Sequence, residues 1–103
     1  MVNWKKIRKM IPIRVQLSPK VYYEIVWVDD FVDGETLGEM VTEIKQIRIK
    51  TNQSPKMTVV TYLHEFLHAV CNEYNVNLTE TQILALEKAF YYVLKPNNLF
   101  DKK

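Results

Sequence analysis

The chain has 103 residues, a formal net charge of +2, a hydrophobic fraction of 48%, and two Trp, six Tyr and four Phe. That is enough to build one small core and one domain over residues 1–103, and the near-neutral charge does not argue for a nucleic-acid binder, which usually carries a strong basic stripe. No apolar run approaches the roughly 18 residues of a membrane span or the core of a secretory leader, and the one cysteine, Cys71, excludes an intrachain disulfide, so the expectation is a cytoplasmic protein without membrane or nucleic-acid partners.

The N-terminal half reads as strands. Trp4 is expected to pack into the core or at its edge, and the basic residues Lys5, Lys6, Arg8 and Lys9 are expected to form a solvated lead-in. A short strand is expected over Ile11 to Leu17, interrupted by Pro12. Val21 to Val28 (VYYEIVWV) has the clearest strand composition, rich in aromatic and β-branched residues, with Trp27 packing into the core or at its edge. Asp29 to Gly34 reads as a turn. The acidic spacing of Asp29, Asp30 and Asp33 does not match a calcium loop, so these are turn residues. Glu35 to Lys45 is ambiguous between strand and helix. In Gln46 to Lys50, Ile47 and Ile49 alternate with Gln46, Arg48 and Lys50, the pattern of a strand with one wet face.

Two helices follow. Ser54 caps and Pro55 opens a helix running from about Met57 to Tyr74. Asn75 to Asn77 turns the chain. Thr79 and Gln82 have capping-box spacing, with Leu78 and Ile83 placed as a hydrophobic staple, and Pro96, Asn97 and Asn98 end the second helix. The layout is therefore α+β: about three strands in a small antiparallel or mixed sheet, packed on an antiparallel helical hairpin.

The first helix carries the chemistry. His64-Glu65-Phe66-Leu67-His68 puts two histidines one turn apart, so both imidazoles reach one ion, with Glu65 beside them to act on a metal-bound water. The chain has only two histidines, so the pattern arises by accident with a chance of about 0.15%, which favours a real site. At about 100° per residue, Thr61, His64, Glu65, His68, Asn72 and Asn75 share one polar strip. Val59, Tyr62, Leu63, Phe66, Leu67, Ala69 and Val70 cover the rest. A polar strip on an otherwise apolar helix marks a cleft.

A third protein ligand is needed to leave one position open. Downstream carboxylates are the choice. Glu73 points away from His68. A hairpin turning near residue 77 sets Glu87 between the levels of His64 and His68, within the apolar stripe Ile83, Leu86, Phe90 and Leu94. A lone carboxylate there is costly without a partner. Glu87 is therefore the expected ligand; Glu80 is the alternative, although a favourable position at a helix N-terminus also accounts for it. Two imidazoles and a carboxylate suit Zn²⁺ best. Tyr91 is a candidate stabiliser of the tetrahedral intermediate, set against a plain packed aromatic. Cys71 is read as a small buried residue.

The phrase TYLHEFLHAV, followed by LTETQ, LEKAF and LKPNNLF, resembles small phage and prophage metallopeptidases of the gluzincin type, loosely similar to the ImmA/IrrE-type and SprT-like groups. The resemblance covers about residues 44 to 100. It implies a minimal zincin-like fold, zinc held by His64, His68 and Glu87, and Glu65 as the catalytic glutamate. It also implies hydrolysis of a peptide bond in a protein or peptide substrate, a regulatory protein being one candidate. The substrate is expected to add a strand to a sheet edge, for which Gln46 to Lys50 is the candidate. The alternative is a zinc-binding interaction module without turnover.

Overall fold

A computed structural model describes residues 11–94 of the chain. Trp4, the basic lead-in and the Pro96-Asn97-Asn98 stop lie outside that range. The chain forms β1 (Arg14–Ser18), β2 (Val21–Val28), β3 (Gly38–Val41), a 3-10 turn (Thr42–Ile44), β4 (Gln46–Lys50), α1 (Pro55–Tyr74) and α2 (Glu80–Leu94). The fold is α+β: α1 packs on a mixed four-stranded sheet, and α2 packs chiefly on α1.

Three strands are expected and four are found. The additional strand, β3, comes from the ambiguous stretch. All four of its residues are half-buried, so it lacks the alternation by which a one-sided strand is recognised. The sheet order is β1-β2-β4-β3. β1 pairs antiparallel with β2 through Arg14↔Glu24 and Val15↔Tyr23. β2 runs parallel to β4, from Glu24↔Gln46 to Val28↔Lys50. β3 closes the far edge antiparallel to β4, from Gly38↔Ile49 to Val41↔Gln46. The chain therefore lays down an outer strand, then turns back to insert β4 beside β2. Lys45 makes the reversal with a left-handed backbone (φ 52°), and its carbonyl accepts the Glu24 N–H at 2.9 Å.

This order corrects one expectation. Gln46 to Lys50 is an inner strand, hydrogen-bonded on both sides, and cannot accept another strand. The edge beside the helices belongs to β3.

The alternation of β4 is realised: Ile47 and Ile49 are fully buried. With Tyr23 and Ile25 of β2 they meet Val59, Tyr62, Leu63 and Ala69 of α1, and Trp27 and Met40 pack against this cluster. α1 starts two residues before the expected position. The Ser54 hydroxyl accepts the Met57 N–H at 3.2 Å, and Pro55 occupies the first turn, where its missing N–H costs nothing. α1 ends at Asn75 in the left-handed region (φ 54°), whose N–H returns to the Cys71 carbonyl. The capping box of α2 forms as its spacing predicts: Thr79 N–H donates to Gln82 Oε1 at 2.8 Å, and Gln82 N–H donates to Thr79 Oγ1 at 3.1 Å. Among the described residues, no helix is long and apolar enough to cross a membrane.

Candidate metal centre

α1 is buried along most of its circumference, with Val59, Tyr62, Leu63, Leu67 and Ala69 against the sheet and core. Its remaining strip carries Thr61, His64, Glu65 and His68, as the helical wheel predicts. The strip opens into a cleft of ≈ 360 Å³ lined by Thr36, Leu37, Gly38, Met57, Val60, Thr61, His64, Glu65 and Glu87.

The two imidazoles turn their Nε2 atoms toward each other at 3.2 Å. Glu80, at the first turn of α2, closes the group. Its Oε1 lies 3.0 Å from His64 Nε2 and its Oε2 lies 3.4 Å from His68 Nε2. His64, His68 and Glu80 can together hold a metal ion. Their separations suit one: bonds of about 2.0–2.2 Å to a tetrahedral ion imply neighbouring donor atoms about 3.3 Å apart.

Glu87 occupies a different position. It accepts a hydrogen bond from the opposite nitrogen, His64 Nδ1, at 2.7 Å. Its side chain is 10% exposed, against 60% for Glu80. The expectation that Glu87 meets both histidines assumed a turn centred near residue 77. Asn75 instead reverses the chain immediately after α1, and Val76 N–H also returns to the Cys71 carbonyl at 3.0 Å. This early reversal brings the start of α2 level with His68, so Glu80 faces both Nε2 atoms and Glu87 lies farther along, behind His64.

The Glu87 carboxylate accepts a hydrogen bond at His64 Nδ1, so the other ring nitrogen, Nε2, is the one that faces Glu80 and His68.

Glu65 lies beside the donors, 9% exposed. Burial pushes its carboxyl up to about 7; the His64 ring opposes that shift, and the Glu80, Glu39 and Glu87 carboxylates add to it. A buried carboxyl with its proton affinity near neutrality is suited to moving protons.

Gly38 was not singled out by the sequence, because it lies in the ambiguous stretch. A Cβ on it would fall 2.5 Å from Thr61 Cγ2 and 3.3 Å from Glu65 Cγ. Glycine thus lets β3 press directly on the strip that carries the site. Gln53 fixes the same corner. Its amide donates to the Lys50 carbonyl at 2.8 Å, and its Oε1 accepts from Thr61 Oγ1 at 3.1 Å. Asp33 caps the segment leading into β3: its Oδ1 accepts the Glu35 and Thr36 N–H groups at 2.9 Å each.

Other candidates lie elsewhere. Glu73 accepts hydrogen bonds from Tyr23 Oη at 2.9 Å and Lys45 Nζ at 2.7 Å, away from the histidines. Tyr91 belongs to the buried core and stacks edge-on with Tyr92; it does not line the cleft. Cys71 is half-buried and stands apart from the converging donors.

In comparisons with known proteins, no family model, curated protein or solved structure matches this chain.

Proposed function

We propose that the chain is a zinc-dependent metallopeptidase acting on an extended segment of a protein substrate. The observation that carries this reading is the convergence of His64 Nε2, His68 Nε2 and the Glu80 carboxylate beside a buried glutamate at a cleft wall. Two imidazoles and one carboxylate suit zinc among the available divalent ions. When bound there, zinc would polarise the scissile carbonyl and make water a better nucleophile near neutral pH.

The remaining roles belong to the chain's own residues. Glu65 accepts a proton from the attacking water and passes it to the leaving amine. The edge strand β3 offers a place for the substrate backbone. Lys50 N–H donates to the Leu37 carbonyl at 2.9 Å, so antiparallel alternation turns the N–H and C=O of Gly38 and Met40 outward. A peptide strand laid there would pass Glu65, because Gly38 abuts it. Leu37, Met57 and Val60 make one side of the cleft apolar, which favours an uncharged side chain near the scissile bond.

A non-catalytic zinc module is the second reading. It is favoured by the position of Tyr91 in the core, which leaves the tetrahedral intermediate without that stabiliser. Proteolysis assays of zinc-loaded wild type and Glu65→Gln separate the two. Cleavage by wild type and not by the variant supports the peptidase. Equal behaviour of the two, with zinc retained, supports the module.

A further inference from the structure

Glu87 has a location that packing alone does not explain. The buried residues of α2 are Ile83, Glu87 and Tyr91, spaced one turn apart along the face that meets the core. An aliphatic residue in the middle position would pack without cost, whereas a carboxylate needs a strong partner to be tolerated there. The partner is His64 Nδ1 at 2.7 Å, a charge-assisted contact. His68 is held differently: its side chain is 36% exposed, and among the described residues its ring contacts run through Nε2.

We propose that Glu87 is a positioning residue: it holds the His64 imidazole in the tautomer protonated at Nδ1, with its Nε2 lone pair aimed between His68 and Glu80. The purpose assigned to this contact rests on the metal-site reading above. An imidazole bonded through Nε2 must keep its proton on Nδ1, and an acceptor fixed at Nδ1 enforces that before any ion arrives. It also fixes the ring plane, so the ion meets a lone pair already pointing at it. Glu87 does this from a separate turn of α2, seven residues beyond the carboxylate that faces the ion. The two carboxylates on one helix thus divide the work: Glu80 at the exposed end meets the metal, and Glu87 at the buried end orients its ligand.

Two measurements on the full chain test this. The first reads the tautomer of His64 in metal-free protein, from long-range ¹⁵N–¹H spectra at about pH 8, above the ordinary titration range of histidine. The second reads zinc affinity and stoichiometry by competition with a chromophoric chelator. Wild type should show His64 protonated at Nδ1. Glu87→Leu should shift His64 toward the Nε2-protonated form and weaken zinc binding about 10- to 100-fold, still reaching one zinc per chain at saturation. Glu87→Gln keeps an acceptor oxygen and should fall between the two; it also stands in if the leucine variant fails to fold.

A wild-type His64 protonated at Nε2 overturns the proposal. So does wild-type zinc affinity in both variants. Folded variants that take up no zinc at saturation also overturn it, because Glu87 would then be a ligand. Wild-type protein that binds no zinc overturns the metal-site reading itself, and the proposal with it. Wild-type protein that binds zinc, with affinity unchanged in the variants, overturns the positioning role alone.

Discussion

The Nε2 atoms of His64 and His68 lie 3.2 Å apart, one helical turn from each other on α1, with the Glu80 carboxylate closing the triangle. Three donor atoms at this spacing can share one bound ion. Metal should therefore stabilise the fold. At zinc concentrations about 1,000 times the dissociation constant, binding adds about 4 kcal/mol, and chelation should lower the Tm accordingly. His68→Ala should remove this zinc-dependent increment. Differential scanning calorimetry with and without chelator checks it.

Glu80 is largely exposed and sits at the first turn of α2. Glu80→Ala should therefore leave the fold nearly intact, costing about 0.3–1 kcal/mol for a lost charge at a helix N-terminus. Zinc affinity should fall by more than the 10- to 100-fold typical of an outer contact, because a donor to the ion is lost. Urea titration of metal-free protein, paired with chelator competition, separates these effects.

Glu65→Gln preserves shape and removes a buried charge. Zinc stoichiometry should be unchanged, and the metal-free protein should be no less stable than wild type. Peptide hydrolysis should fall about 10²- to 10⁴-fold, the usual contribution of a positioned proton carrier. Matched turnover assays on zinc-loaded proteins give the ratio.

Gly38→Ala places a methyl group where Thr61 Cγ2 already stands, 2.5 Å from the built position. Thr61 is buried and β-branched, so it has little room to yield. The expected cost is about 1–3 kcal/mol, together with weaker zinc binding as α1 is pushed off the sheet. Serine at the same position should behave similarly, since the collision lies at Cβ.

The acid limb of stability should report the cluster that ties α1 to the sheet. Lys45 Nζ and Tyr23 Oη hold the Glu73 carboxyl below its ordinary value of 4.5. A depressed carboxylate stabilises the fold above its unfolded value, and that contribution is lost as pH falls through the folded one. The difference in urea midpoint between wild type and Glu73→Gln should thus be fully developed at neutral pH and shrink below about pH 4.5.

Much of the architecture was legible in local pattern. β2, β4, the Ser54 cap and the Thr79–Gln82 box follow from composition, alternation and spacing, because each depends on neighbours in the chain. The polar strip of α1 was legible for the same reason. β3 was not, since a four-residue edge strand with every residue half-buried carries no periodicity. The placement of Glu80 and Glu87 was not legible either. Helical period fixes which face a residue occupies, but the level at which two helices meet depends on the turn. There the left-handed backbone of Asn75 reversed the chain earlier than a symmetric hairpin assumes.

The most direct test of the central claim is zinc content. Protein prepared without a histidine tag, equilibrated with excess zinc and desalted, is assayed for metal per chain beside the His64→Ala/His68→Ala double variant. The His64–His68–Glu80 site predicts about one zinc per wild-type chain and none in the double variant. Less than about 0.1 zinc per wild-type chain, or equal uptake by both proteins, would contradict it.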